Sequence, residues 1–206
     1  SPLMSVFPGE DYGLHSDAAT MKLLKDTYYN QQNEGGNDLV FINLQAARLG
    51  LLDLEKFKRQ VNYCLLPNGT ATDKVMQVHG RYTDGSRYDF MAGMGIWFEN
   101  FALPVVINEC LMQSYDGLIR LFPNWDRSKD ASFYQLRAVG AFLISADLKG
   151  GAVQRVSILS EKGGRLQMLS PWGKKGLIIR GRQRIPITQE RIILETAPGE
   201  RMLLIP

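Results

Sequence analysis

The hydrophobic residues of this sequence change their spacing once, near Gly117. Before that point they recur every three or four positions, as Met21, Leu24 and Tyr28 do, which is the spacing of an amphipathic helix. After it they alternate with polar residues in short runs bounded by glycine and proline, which is typical of antiparallel strands. This order predicts an α+β chain, with a helical part at residues 1–116 and an antiparallel β-sandwich at residues 117–206.

Local signals mark where the helices of the first part begin and end. Ser16 or Asp17 suits the N-cap of a helix that runs to about residue 29. Gly50 suits the position just after a second helix, where the left-handed conformation favours glycine. Asp53 is the predicted start of a third helix.

A fourth helix, predicted at about residues 99–114, leads into the β-part. Pro104 falls in its early turns, where a proline is tolerated better than in mid-helix. Glu109 and Gln113 are one helical turn apart, so we expect them to share a face.

The second part contains about eight predicted strands, whose regular spacing favours a sandwich. The glycines Gly150 and Gly151 lie between two of them and predict a tight hairpin turn. The predicted strands lie at residues 118–122, 133–138, 141–148, 153–159, 166–169, 177–180, 191–195 and 202–205.

The two parts differ in net charge, which supports a division into two domains. The formal charge is −5 over residues 1–116 and +8 over residues 117–206. The basic residues Arg180, Arg182 and Arg184 are spaced at period two, so we expect them on one solvated face. Since no aromatic stacking residues are interleaved with them, we expect no nucleic-acid partner.

Several functional classes lack their motifs here. No apolar run approaches the roughly 20 residues that a membrane span needs. His15 and His79 stand alone without metal-ligand spacing, and no phosphate-binding glycine loop occurs, so we expect no metal and no cofactor. Cys64 and Cys110 lie among apolar residues and are interpreted as buried thiols, with a disulfide as the alternative.

Four segments around the junction of the two parts resemble a known family. They read FENFA at 98–102, NECLMQS at 108–114, IRLFP at 119–123 and LRAVGAF at 136–142. Their order and spacing resemble the inverting α-L-fucosidase/α-L-galactosidase family of glycoside hydrolases. That family has an Asn-Phe-Gly-Gly element, a Glu-x-Leu-Leu-Gln-Ser helix, an Ile-x-Leu-Leu-Pro strand and a Leu-Arg-Ala-Arg-Gly-x-Phe segment. The resemblance implies the last helices of a six-hairpin α/α barrel, followed by its C-terminal β-domain.

The sequence departs from that family at the catalytic position. The family places a catalytic-base aspartate two residues before the asparagine, and this position is Phe98 here, which cannot accept a proton. Glu99 lies one residue closer and is the candidate base. The resemblance places the general acid on an earlier part of the barrel, outside this chain. We therefore expect the chain to be a fragment that is inactive by itself.

Candidate substrate-binding residues lie in and just after a glycine-rich stretch. Asn100 would hydrogen-bond a sugar hydroxyl, Trp97 would stack on a sugar ring, and Asp89 and His79 lie upstream of them. Each has a structural alternative: helix-dipole stabilisation for Glu99, an N-cap for Asn100, core packing for Trp97, and a solvated loop position for the other two.

Two functions are consistent with these features. The first is a fragment of a glycoside hydrolase that acts on oligo- or polysaccharide. The alternative is a non-catalytic carbohydrate-binding or structural accessory domain. The expected partners are carbohydrate and either the remainder of the barrel or another copy of the chain. The resemblance implies a secreted or periplasmic location.

Overall fold

A computed structural model describes residues 2–31, 38–65, 69 and 97–206. In these residues the helices precede the strands, and all the paired strands are antiparallel, which confirms the predicted α+β class. The chain forms two compact units, Ser1–Glu109 (unit 1) and Cys110–Pro206 (unit 2). The boundary predicted from the sequence, after residue 116, falls inside unit 2.

The first and third helices begin at the residues that the local chemistry predicts. The helices are α1 (Ala18–Asn30), α2 (Asp38–Arg48), α3 (Leu54–Cys64) and α4 (Trp97–Leu111). Asp17 is the N-cap of α1 and accepts from the amides of Ala19 and Thr20, at 2.9 and 3.0 Å. Asp53 caps α3 in the same way, with the Lys56 amide at 2.9 Å.

Gly50 ends α2 in a Schellman motif, as predicted. Its φ is +69°, and its amide donates to the Ala47 carbonyl at 3.3 Å. The next amide, that of Leu51, reaches back to the Ala46 carbonyl at 2.8 Å. Both bonds satisfy carbonyls that the end of the helix leaves without intrahelical donors.

Two apolar clusters form the core of unit 1. Since the N-terminal arm contributes Leu3 and Val6, it belongs to the fold although it forms no helix or strand. One cluster contains Leu39, Val40, Leu44, Phe57 and Val106, and the other contains Leu3, Val6, Leu24 and Leu49.

Unit 2 contains a six-stranded sheet of order β3-β4-β5-β10-β7-β8 and a two-stranded sheet β6-β9. Alternate residues of β4 are buried, as expected for a strand with one face in a core. One apolar cluster draws on both sheets, with Ile144, Val156 and Leu204 from the first and Leu166 and Met168 from the second. The strands are β1 (Met112–Gln113), β2 (Arg120–Leu121), β3 (Ala131–Ala138), β4 (Phe142–Lys149), β5 (Ala152–Ser160), β6 (Gly164–Leu169), β7 (Leu177–Arg180), β8 (Gln183–Pro186), β9 (Arg191–Thr196) and β10 (Glu200–Ile205).

The end of the fourth helix differs from the prediction. α4 ends at Leu111, whose carbonyl accepts from the Phe122 amide at 2.6 Å, and the next two residues form β1. Glu109 therefore lies on the helix whereas Gln113 is paired with Arg120 in a sheet, so the prediction that they share a helix face is wrong. The helix ends here because Met112 and Gln113 pair as a strand with β2, which lies further along the chain.

The prediction of a single solvated face for the arginines at 180, 182 and 184 is also wrong. Arg180 lies opposite the buried Met202, whereas Arg184 lies opposite Ile179. A hairpin turn between β7 and β8 reverses the chain, so the period-two pattern does not continue through it. β8 itself escaped prediction because it is a short polar edge strand that ends in proline.

Candidate functional site

The predicted catalytic segment lies at the start of α4. Trp97, Glu99 and Asn100 have helical backbone in its first turns, and their side chains lie outside the described part of the structure. Asp89 and His79 also lie outside the described residues. The backbone therefore places three of the five predicted residues on one helix, close together in sequence. A carboxylate at this end of a helix is stabilised by the helix dipole.

Pro104 affects the backbone next to the candidate residues. It lies inside α4, and a proline has no amide hydrogen to donate to the carbonyl four residues earlier. In α4 that carbonyl belongs to Asn100. The Asn100 carbonyl in the first turns of α4 therefore lacks the amide donor that it would have in a regular helix. This places an additional hydrogen-bond acceptor at the candidate substrate-binding residue.

A buried arginine ties α4 to the rest of unit 1. The Arg48 side chain at the end of α2 is 6% exposed, and its Nη2 lies 3.3 Å from Oε1 of Glu109. Its Nη1 donates to the carbonyls of Val6, at 3.1 Å, and Gly9, at 2.9 Å. The same guanidinium therefore joins α2, α4 and the N-terminal arm through charge-assisted hydrogen bonds.

Two further groups of the arm approach the same guanidinium. Oε1 of Glu10 lies 3.8 Å from Nη2 of Arg48, and the guanidinium carbon lies 5.1 Å from the centre of the Phe7 ring. Arg48 thus faces two carboxylates and an aromatic ring. Such a network orients α2, α4 and the arm relative to one another. Its net effect on stability depends on how completely these contacts replace the hydration that the charged groups lose on burial.

Burial raises the pKa of the Glu109 carboxyl, and this effect outweighs the opposite influence of the Arg48 guanidinium. The Glu10 carboxylate adds to the increase. Ionisable groups with shifted pKa values occur both at active sites and in structural ion pairs. Here the contact with Arg48, which itself binds the arm, favours a positioning role for Glu109. Glu109 also lies ten residues after Glu99 on the same helix, or roughly 15 Å along its axis.

Three of the four segments of the family resemblance, the second, third and fourth, come together in unit 2. The pairing of β1 with β2 joins the second segment to the third, through Gln113 opposite Arg120. Oγ of Ser114, the last residue of the second segment, accepts from the Val139 amide of the fourth at 3.0 Å. The first segment lies on α4, which leads directly into β1. The second, third and fourth segments, which are distant in sequence, are therefore joined by strand pairing and a side-chain hydrogen bond within unit 2.

A second buried ion pair fixes the loop of this junction. Arg120 donates to both carboxylate oxygens of Asp116, at 2.7 and 2.8 Å, and to the Leu118 carbonyl at 3.2 Å. The two side chains are 9% and 14% exposed. Bidentate geometry of this kind is stronger and more directional than a single contact. The pair thereby links the loop between β1 and β2 to the first residue of β2.

The described residues provide no site for a metal or a reactive thiol. No group of three or more histidine, cysteine, aspartate or glutamate side chains among them has the arrangement of a metal site. Cys110 is buried and is not part of a disulfide, and its burial raises the thiol pKa to about 12. None of the described helices is long and apolar enough to cross a membrane.

Sequence reasoning missed the Arg48–Glu109 pair because the partners are separated by 61 positions. The available signal was an arginine at the end of α2, whose other residues from Leu39 to Ala47 are almost all buried. A charged residue in such a position is rarely buried without a partner. The sequence alone contains many carboxylates that are suitable partners and does not select among them.

No known family and no curated protein matches this sequence. Among solved structures, the chain is similar to Ara127N-Se, a GH127 β-L-arabinofuranosidase from Geobacillus stearothermophilus T6, with 13% identity and a TM-score of 0.31. The alignment covers 82% of this chain and 31% of that one, so the chain spans about a third of the length of the enzyme. A superposition this loose carries no conclusion about activity.

Proposed function

We propose that this chain is part of a glycoside hydrolase that acts on oligo- or polysaccharide, and that it does not hydrolyse glycosidic bonds by itself. The observation that carries the proposal is the junction in unit 2 at which three of the four resembling segments meet. Chance matches to short motifs have no reason to converge in space, whereas segments inherited with a fold do. The order of the elements, helices and then an antiparallel sandwich, is the one that the resemblance implies.

The chemistry of inverting hydrolysis explains why the chain is expected to be inactive alone. One carboxylic acid protonates the leaving oxygen while a carboxylate activates water on the other face of the sugar, about 6.5–9.5 Å away. Glu99 is our candidate for the carboxylate, and the acid would come from a part of the barrel outside this chain. Asn100 and Trp97 would orient the sugar, with Asp89 and His79 nearby. A secreted or periplasmic location completes the proposal.

The test uses the 206-residue chain as it is. We expect no release of reducing sugar from fucosylated, galactosylated and arabinosylated oligosaccharides, but saturable binding of at least one of them by calorimetry. Glu99→Gln and Trp97→Ala should each weaken that binding by about tenfold or more. The matched control is Glu55→Gln, because Glu55 lies in the first turn of α3 as Glu99 does in α4.

Two results would contradict the proposal. Turnover by the isolated chain would show that it contains both catalytic groups. Binding that is equally strong in wild type, Glu99→Gln and Trp97→Ala would place the sugar elsewhere and remove the support for a site at the start of α4. Circular dichroism of each variant confirms that a loss of binding is not a loss of folding.

A further inference from the structure

The outer face of the six-stranded sheet contains a groove of about 430 Å³. Two rows of cross-strand neighbours line it, since residues that pair directly across strands share a face. One row is Ser132, Asp147 and Arg155, and the other is Ser145, Ser157 and Leu203. Buried residues lie between the rows on β4 and β5, which confirms that the rows face away from the core.

Tyr134 stands at one side of this groove and is 79% exposed. The preceding residue, Phe133, packs inward against Phe122 with ring centres 5.4 Å apart. A bulge in β3 begins directly after it, because the pairing with β4 shifts between Phe133 and Leu136. A large aromatic residue whose only role is packing usually points toward the core, as Phe133 does. Tyr134 instead exposes its ring on the face of the sheet.

The bulge contains the strained residue Gln135. Its φ is +54°, which is uncommon for a residue with a side chain, and its amide donates to Oγ of Ser145 at 3.0 Å. On the other side of the groove, the pairing of β4 with β5 shifts between Asp147 and Leu148, which leaves Gln154 as the extra residue next to Arg155. Bulges are over-represented near functional sites because they redirect side chains, and strain of this kind also concentrates there.

The floor of the groove is formed by small hydroxyl side chains. Ser145 and Ser157 are direct neighbours across β4 and β5, in the interior of the sheet. Serine packs poorly on a pleated surface, where β-branched and aromatic residues are favoured. The two serines leave room between the taller side chains of Tyr134, Asp147 and Arg155, and they present hydroxyl groups that both donate and accept.

An ion pair supplies the remaining polar groups of the groove. Nε of Arg155 donates to Oδ2 of Asp147 at 2.6 Å. Within the described residues the terminal amino groups of Arg155 make no hydrogen bond, so they are free to donate to a ligand. The carboxylate accepts hydrogen bonds and the guanidinium donates them, while their charges cancel. This combination suits adjacent hydroxyl groups on an uncharged ligand.

We propose that this groove binds a neutral pyranose unit of an oligosaccharide, with the Tyr134 ring against one sugar face and Asp147, Arg155 and the serines on its hydroxyls. The C–H groups of a pyranose face carry partial positive charge, which complements the negative face of an aromatic ring. The groove volume lies in the range of ~300–1,000 Å³ that is usual for small-ligand sites. The site lies wholly within unit 2 and does not depend on the function proposed for Glu99.

The experiment is a titration of the full 206-residue chain, followed by amide shifts in ¹H–¹⁵N spectra. The neutral probes are cellotetraose, xylotetraose, mannotetraose and 2′-fucosyllactose, and the charged probe is trigalacturonate. We expect at least one neutral probe to shift the amides of Tyr134, Ser145 and Ser157 in a saturable way, with a dissociation constant of about 0.1–1 mM, since the groove is open and small.

Variants separate stacking from hydrogen bonding. Tyr134→Ala should weaken binding by about tenfold, whereas Tyr134→Phe, which keeps the ring, should weaken it by less than about threefold. Asp147→Asn removes the ion pair and should weaken binding by a similar factor of about ten. The matched surface control is Ile193→Ala on β9, which is 44% exposed on the other sheet and should leave binding unchanged.

Four results would overturn this proposal. The first three are the absence of binding by the folded chain, binding of the charged probe alone, and binding that Tyr134→Ala leaves intact. The fourth is a shift of the groove amides with protein concentration in the absence of sugar, which would assign the face to contact between copies. Glu99→Gln distinguishes this proposal from the function proposed above, because it should weaken binding at the start of α4 and leave the shifts around Tyr134 unchanged.

Discussion

Replacing Arg48 by methionine tests the network that holds α4 in unit 1. Methionine fills a similar length of side chain but donates no hydrogen bond. The change removes the donors to the carbonyls of Val6 and Gly9 and removes the partner that lies 3.3 Å from Glu109. Because the Arg48 side chain is only 6% exposed, water has little access to replace these contacts.

The expected cost in the free energy of unfolding is about 3–5 kcal/mol at pH 7.5, the usual range when one partner of a buried ion pair is removed. The part due to Glu109 depends on pH. Burial already raises its pKa in the folded state, and loss of the Arg48 guanidinium removes the main influence that lowers it. In the variant the protonated carboxyl is therefore favoured even more strongly on folding.

The sign of the pH effect follows from this direction. A carboxyl whose pKa is higher in the folded state contributes stability that is fully present below its unfolded pKa and is lost as the pH rises through its folded pKa. For Arg48→Met the loss extends to higher pH than in wild type. Lowering the pH from 7.5 to 5 should therefore recover part of the cost.

Urea unfolding at both pH values, followed by circular dichroism at 222 nm, measures these quantities for the helical unit. Arg59→Met is the matched control, since Arg59 is exposed on α3 and its loss should change stability by less than about 0.5 kcal/mol. The double variant Arg48→Met/Glu109→Leu should recover part of the loss by removing the buried carboxyl. A cost of Arg48→Met below about 1 kcal/mol with no pH dependence would refute the reasoning.

Three further predictions concern unit 2. Asp116→Asn weakens the bidentate contact with Arg120 and should lower the free energy of chemical unfolding by about 2–4 kcal/mol. The exposed control Glu190→Gln should lower it by less than about 0.5 kcal/mol, and equal effects of the two variants would contradict a stabilising role for the ion pair. Gly140→Ala, at φ +89° with its new Cβ 2.7 Å from the Phe142 ring, should lower stability by about 2–3 kcal/mol, and Gly181→Ala, at φ +58° in open space, by only about 1 kcal/mol. Ser114→Ala should speed hydrogen exchange at the Val139 amide and leave the hairpin amides at Gly150 and Gly151 unchanged, whereas unchanged exchange at Val139 would remove the contact between the two segments.

The features that sequence analysis predicted correctly are those decided by neighbouring residues. Asp17 and Asp53 satisfy amides within three residues of themselves, and Gly50 adopts a conformation that other residues avoid. The same holds for the hairpin at Gly150 and Gly151, both of which have positive φ. Each outcome depends on a short stretch of chain, so the residue types alone contain the necessary information.

The errors arose where a distant segment decides the local structure. β1 continues a helical pattern in sequence, and only the return of β2 makes Met112 and Gln113 a strand. The groove on the sheet depends on register shifts in β3 and β5, which place Tyr134 beside side chains from three other strands. The alternation of residues along β3 gives no sign of a bulge, because register is a property of two strands together.

The helical backbone at the start of α4 determines how differently side chains at positions 98 and 99 are directed. Positions 98 and 99 are both inside the helix, where successive residues differ by about 100° around the axis and about 1.5 Å along it. A carboxylate at Glu99 is therefore not aimed as one at position 98 would be, even before its longer side chain is considered. The junction segments at β1, β2 and β3 are held by backbone bonds and buried contacts that do not involve residues 98 and 99. We therefore expect Phe98→Asp, which introduces the residue that the resembling family has at this position, to leave unit 2 intact. Under the proposed function it should affect sugar binding more than Glu99→Gln does. Calorimetry on both variants with the same sugar panel decides this, and an unchanged affinity in Phe98→Asp would mean that the start of α4 does not form a substrate site.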